Sequence, residues 1–402
     1  MTCLFISSKR IFLFGHCNAA LELIDLLEAK GFRTTAILDN SGAKQGQEYK
    51  GAIVIYPSQI GEMAGDDPAA DSVVLIASRF YEAMIRQLRE LGYEGPVRKV
   101  IDYNTYAEYS LSEETIARMK IRERHGNDLL QKLSGKYDGY FKVFCPFNVL
   151  GDIYFMISYW ETFAKNRGID KVVFCALNKT LSDVIHMFGD YSVEIYPQKE
   201  LDAMIQSVIY TQDKSSFIAH QDRPYVVNLA KALYIKRITL EKIYCCGVYG
   251  LPSDTKPSKP RTDLPLYKDI DLIPNGKAVI FSPYAKSVTA IESKVWRDAV
   301  AYYKRAGYKC YTNVVGDEKS LGGTEAISPA LLEMRSVVER AGTFVGIRSG
   351  LCDIIREARA KKIALYPDYN YCDTKWKALE IYHIRQFDHN LVAEQGISWG
   401  KL

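Results

Sequence analysis

Short apolar runs alternate with stretches whose apolar residues recur every three to four positions, and this alternation restarts three times along the chain. The first pass predicts a strand over 10–14, then the turn Gly15-His16-Cys17-Asn18. A helix follows, carrying Leu21, Ile24, Leu26 and Leu27 and stopped by Gly31. Further strands are expected over 34–38 (ending at Asp39), 52–56, 72–77 and 97–101, with a helix over 81–91. Strands alternating with helices imply a parallel sheet covered by helices.

The second pass expects strands at 140–145, 171–175, 192–196 and 216–219. A helix starts near Ile153 with Met156, Ile157, Trp160 and Phe163, and others lie near 181–188 and 200–208. The third pass expects strands at 278–281, 308–314, 343–347 and 362–366, and helices at 294–306, 328–341 and 351–360. Ser328-Pro329 reads as the N-cap and N1 of one of these helices, with Gly342 closing it. Between the passes lie a charged helical stretch opened by a capping box at Ser110–Glu113 and a segment holding Pro252, Pro257, Pro260, Pro265 and Pro274. The domains expected are 1–105, a connecting helix 106–138, 139–250, a Pro-rich linker 251–276, 277–370, and a tail 371–402 that packs back on the core and holds a helix near 374–382.

Composition narrows this picture. The 402 residues are 48% hydrophobic and 25% charged with a formal net charge of +4, which supports several cores and gives no general case for nucleic acid. Nine scattered cysteines form no CxxC pair, and several, such as Cys145 and Cys175, sit in apolar runs as reduced core cysteines do, which reads as a cytoplasmic protein. No window resembles a signal peptide or a membrane span, while peripheral contact with the inner face of a membrane stays open. None of the six histidines forms a local metal pattern, so no metal is expected. Gly15 alone does not make a G-x-G-x-x-G fingerprint, which argues against NAD.

Three stretches carry candidate chemistry. In the first, a strand runs through Arg348-Ser349-Gly350 into a helix. Glycine permits close backbone approach, the helix start offers free N–H groups, and Arg348 adds charge, so this is either a diphosphate cradle or a plain strand–helix turn. In the second, Gly151-Asp152 opens a helix after a strand, and Asp152 serves either as a cap or as a general base facing a cleft. The third holds Ser282, Tyr284 and Lys286 past a strand end and Lys294 at a helix start, where the lysines either neutralise phosphate or are plain surface residues. Tyr154, Tyr284 and Tyr366 flank strand ends, where a ring can stack on a sugar.

These features in this order resemble the GT-B glycosyltransferases typified by bacterial lipopolysaccharide heptosyltransferases, over residues 139–370. The family's Gly-Asp pair matches Gly151-Asp152, and its Lys-x-Trp segment matches Lys294-Val295-Trp296. Its Asp-Thr/Ser-Gly-x-x-His stretch reads here Arg348-Ser349-Gly350-Leu351-Cys352-Asp353, with Ser-Gly kept, Arg at the acidic position and Asp353 in place of His. The first domain, with Lys9–Gly15 and Leu38-Asp39-Asn40, is similar to Rossmann-like domains that precede bacterial sugar acyltransferases. The resemblance implies an α/β chain with two Rossmann-like GT-B lobes behind an N-terminal Rossmann-like accessory domain. It implies a hexosyl- or heptosyltransferase that moves a sugar, with inversion, from a nucleotide-diphosphate donor to a glycan, lipid-linked or protein acceptor in bacterial surface-polysaccharide (lipopolysaccharide or capsule) synthesis. No cofactor is required beyond the donor. Asp152 would be the base, and Arg348, Ser349, Gly350, Lys286 and Lys294 would hold the diphosphate, with Gly151, Ser282, Tyr284 and Asp353 lining the cleft. The alternatives are a nucleotide-sugar epimerase of the same fold, or a nucleotide-sugar-binding partner of a glycan assembly complex that does not turn over.

Overall fold

Phe12 and Phe14 face one side of their strand and Ile11 and Leu13 the other, and all four are buried. A strand covered on both faces reads as an unbroken apolar run, as parallel strands do. The structure is a computed structural model that describes residues 9–77, 81–100, 113–220, 238–285, 288–368 and 377–402. The capping box at Ser110 and the side chain of Lys286 lie outside the described residues.

The chain divides into two units, the first ending at Arg124 and the second beginning at His125. In the first unit the strands are β1 (Arg10–Phe14), β2 (Thr34–Leu38), β3 (Glu48–Tyr49), β4 (Ala52–Ile55), β5 (Ser72–Ile76) and β6 (Val97–Lys99). The sheet order is β3-β4-β2-β1-β5-β6, parallel throughout except for the β3–β4 hairpin. Helix α1 (Asn18–Ala29) covers one face through Leu23, Ile24 and Leu27, and α2 (Tyr81–Glu90) covers the other through Leu88. Gly31 follows α1 at φ +81°, a conformation that suits glycine after a helix end. Helix α3 (Glu113–Lys136) contains the point where the two units divide.

The second unit holds two sheets. The first contains β7 (Phe141–Phe144), β8 (Val172–Ala176), β9 (Ser192–Ile195) and β10 (Ser216–Ile218) in the order β10-β7-β8-β9. The second contains β11 (Ala278–Ser282), β12 (Lys309–Asn313), β13 (Glu325–Ile327), β14 (Gly342–Ile347), β15 (Lys361–Tyr366) and β16 (His389–Val392) in the order β13-β12-β11-β14-β15-β16. Every pairing in both sheets is parallel. Counted within the second lobe, the order is 3-2-1-4-5-6, the doubly wound Rossmann order, and the first lobe repeats its 3-2-1-4 core. Two such lobes in one unit, joined by a linker, make the GT-B arrangement. The order places a topological switch point between β7 and β10 and another between β11 and β14.

The main helices here are α4 (Leu150–Arg167), α5 (Lys179–His186), α6 (Gln198–Thr211), α7 (Ser293–Arg305), α8 (Met334–Ala341) and α9 (Gly350–Ile354). Helix α4 is buried on every side from Gly151 to Trp160. It is therefore a central helix, with partners all round, and not an amphipathic one lying on the surface.

Three expectations need correction. The helix expected over 351–360 stops at Ile354, where the backbone tightens to i−3 bonds from Arg356 N–H to the Asp353 carbonyl and from Ala358 N–H to the Ile355 carbonyl, and the buried Lys362 Nζ donates to the Arg356 and Ala358 carbonyls. Ser328-Pro329 does not open α8. A 3-10 turn starts at Leu331, and the Glu333 carboxylate reaches back to accept from the Ala330 N–H at 2.7 Å. Residues 389–392 form a sixth strand of the last sheet, although no apolar run marks them.

Candidate active site

Ser282 ends β11, opposite Gly346 of β14, and is buried at the switch point of the second lobe. Ligands of doubly wound sheets bind outside the carboxyl ends of strands at this place. Arg348 and Ser349 carry the chain from β14 into α9. The guanidinium of Arg348 turns inward. Its Nη2 donates to Asp353 Oδ1 at 2.9 Å, its Nε to the Tyr382 carbonyl at 2.9 Å and its Nη1 to the Ser349 carbonyl at 2.5 Å. Arg348 thus ties both ends of the turn together. Burial opposes its charge, but the Asp353 carboxylate beside it raises its pKa above the ordinary value.

Asp353 is 1% exposed, and its second oxygen, Oδ2, has no hydrogen-bond partner. Burial pushes its carboxyl above the usual range, with Arg348 and Arg356 pulling in the other direction. That oxygen faces the other lobe, lying 2.8 Å from where a Cβ on Gly151 would stand.

Gly151 and Asp152 lie in the first turn of α4, whose N-cap Val149 supplies no side-chain cap. Asp152 is 5% exposed and accepts a hydrogen bond on Oδ1 from the Tyr244 hydroxyl at 2.8 Å. Tyr244 belongs to a strap, residues 240–251, built around a π-helical turn at Ile243–Val248. Two further bonds fasten this strap to the same face of α4. Tyr249 donates to the Met156 carbonyl at 2.9 Å, and Tyr159 donates to Glu241 at 3.1 Å. Asp152, Met156 and Tyr159 are spaced i, i+4, i+7 and share one side of the helix. Glu241 also pairs with Arg356 of the second lobe at 3.3 Å. Arg356 donates to Gln386 at 2.8 Å and lies over the rings of Tyr154 and Phe155.

The fold therefore gathers Gly151, Asp152, Arg348, Ser349, Gly350 and Asp353 at the seam between the lobes. It does not bond Lys294 or Tyr284 to that group. Lys294 is exposed on the first turn of α7, and Tyr284 donates to the Lys319 carbonyl at 2.6 Å. Tyr154 and Tyr366 are buried at 3% and 1%, so both rings are core residues and not sugar platforms. Sequence reasoning missed Tyr244, Glu241 and Arg356. The visible signal was the cluster of polar-tipped aromatics, Tyr244 and Tyr249, in a segment without helical or strand periodicity.

No known protein family's sequence profile matches this chain. No curated protein matches it in sequence. Several solved structures are similar to it. One is the bacterial iron-containing dodecameric glycosyltransferase TibC from enterotoxigenic Escherichia coli H10407, at 13% identity over 56% of this chain, with a TM-score of 0.40; the match spans 57% of TibC. A glycosyl transferase family 9 protein from Veillonella parvula DSM 2008 is 12% identical over 62% of this chain and 84% of its own, with a TM-score of 0.44. The E. coli heptosyltransferase WaaC with ADP is 9% identical over 62% of this chain and 89% of its own, with a TM-score of 0.36.

The first unit has its own switch point, between β1 and β5. Gly15 turns there at φ +101°. Asp39, at the end of β2, accepts from the His16 N–H at 2.8 Å and the Ser41 N–H at 2.9 Å, and pairs with Lys44 at 3.0 Å. Burial works against the charge of Asp39, but these N–H groups and Lys44 hold its carboxyl below the usual range. Asp39 thus organises its own turn. Among the described residues, no group of three or more His, Cys, Asp or Glu is arranged to hold a metal ion, and no helix is long and apolar enough to cross a membrane.

Proposed function

We propose that the second unit is a glycosyltransferase that uses a nucleotide-diphosphate sugar. The observation that carries this reading is the meeting of the α4 start, with Asp152, and the Arg348-Ser349-Gly350 turn, at the switch point of a Rossmann-order lobe. In this reading the donor diphosphate lies against Ser349 and the backbone N–H groups that follow it. Arg348 holds the shape of that turn, its own charge offset by Asp353, and one of Lys286 or Lys294 neutralises the diphosphate. Asp152 takes the proton from an acceptor hydroxyl. The hydroxyl oxygen then bonds to the anomeric carbon as the carbon–oxygen bond to the diphosphate breaks, its electron pair leaving with the diphosphate. A single displacement of this kind inverts the anomeric centre. That lysine and the N–H groups stabilise the departing charge.

The acceptor is a glycan, a lipid-linked sugar or a protein, the setting is bacterial surface-polysaccharide synthesis, and the transferred group is a hexose or heptose. The test is an Asp152→Ala protein assayed for release of nucleoside diphosphate from ADP-, UDP- and GDP-sugars. It should bind nucleotide normally and lose turnover about 100-fold or more. Full turnover in that variant removes the role of Asp152.

A second reading, a partner that binds nucleotide sugar without turnover, draws on one observation. The guanidinium of Arg348 donates to the Tyr382 carbonyl, the Ser349 carbonyl and Asp353, all within the protein itself. Donor binding with no release of nucleoside diphosphate would favour it.

A further inference from the structure

We propose that Tyr244 is the positioning residue for Asp152, presenting the carboxylate to the acceptor through its 2.8 Å hydrogen bond to Oδ1. This rests on the reading of Asp152 as the base. A carboxylate in the first turn of a helix can point along the axis towards free N–H groups or away from it. A bond from a second element selects one orientation. Tyr244 is fully buried, and the Phe147 ring packs edge-on against it at 6.2 Å. Its hydroxyl acts only as a donor to Asp152, because burial, followed by the charge of Asp152, pushes its pKa well above the ordinary value.

The strap gives the bond its rigidity. Met156 and Tyr159 carry the neighbouring rungs on the same face of α4, so Tyr244 cannot shift alone. The π-helical turn sets Tyr244 at its place on that face, and such turns recur at functional sites. Glu241, on the same strap, contacts Arg356 of the second lobe, which links lobe contact to the orientation of the base. The titratable groups acting on Tyr244 are Asp152 itself, Cys145 after β7 and Tyr249 of the strap; Glu241, Arg348 and Arg356 act on Asp353 of the second lobe.

The test compares Tyr244→Phe with Tyr249→Phe, which removes the neighbouring rung to the Met156 carbonyl. The pKa of Asp152 is read by carbon-13 NMR of labelled aspartate carboxyls, which needs no substrate. Losing a donated hydrogen bond raises a carboxyl pKa, so Tyr244→Phe should raise it by about one unit and Tyr249→Phe should leave it in place. The acid limb of donor hydrolysis, measured with ADP-, UDP- or GDP-hexose and water as acceptor, should move up with it, and kcat should fall about tenfold. An Asp152 carboxyl or an acid limb that does not move in Tyr244→Phe overturns the positioning role and leaves the base reading standing. Full hydrolysis by Asp152→Asn overturns the base reading, and the proposal falls with it.

Discussion

Gly350, at the start of α9, approaches Leu150, at the start of α4, so closely that a Cβ on Gly350 would fall 2.5 Å from the Leu150 Cβ and 2.8 Å from the Gly151 nitrogen. Its φ is not positive, so the need for glycine here comes from contact between the lobes and not from backbone conformation. Gly350→Ala should cost about 1–3 kcal/mol by overpacking, or push the lobes apart. Urea unfolding reads the first effect and small-angle scattering the second. A variant unchanged in both would mean the two helix starts do not touch in solution.

The Arg348–Asp353 pair gives a second prediction. Removing one partner of a buried ion pair strands the other, so Arg348→Leu should cost about 3–5 kcal/mol. The loss should widen as pH rises, because a protonated Asp353 needs the guanidinium less.

Asp353 itself should leave a mark on the pH dependence of stability. Its carboxyl is raised above its ordinary 3.8 by burial, against the pull of Arg348 and Arg356. A carboxyl raised in the folded state favours the protonated fold. Its contribution is full below the unfolded value and is lost as pH climbs through the folded one. Stability in urea should therefore fall between pH 4 and the raised value in the wild type, and Asp353→Asn should flatten that slope. Equal slopes would show that the carboxyl is not buried as described.

Much of this architecture was legible in the sequence because the strands are parallel and covered on both faces, so β1, β5, β11 and β14 stand out as apolar runs. The seam was half legible. Gly151-Asp152 and Ser349-Gly350 drew attention as glycine-bearing helix starts, but nothing local says that these two turns meet. Arg348 and Asp353 are five apart across a strand–helix turn, a spacing that does not reveal whether they pair with each other or with a ligand. The strap shows in sequence only through its polar-tipped aromatics Tyr244 and Tyr249, since a π-helical turn has neither 3.6-residue nor two-residue periodicity. β16 was missed because all four of its residues are only half-buried.

That last strand makes the C-terminal segment part of the second lobe. Trp399 is 7% exposed, and its ring centroid lies 6.3 Å from that of Tyr303 on α7. Trp399→Ala should cost about 3–5 kcal/mol, as truncation of a buried aromatic does. A loss below about 0.5 kcal/mol in urea would show that the segment is not docked.

The central claim is that the turn after β14 holds a nucleotide diphosphate, and a thermal-shift screen against ADP, UDP, GDP, CMP and their sugars tests it most directly. A ligand bound only by the native state raises the midpoint by mass action. One nucleoside diphosphate should raise Tm, and Ser349→Trp, which fills the turn, should abolish the shift. No shift with any nucleotide, or a shift that survives Ser349→Trp, would contradict the account.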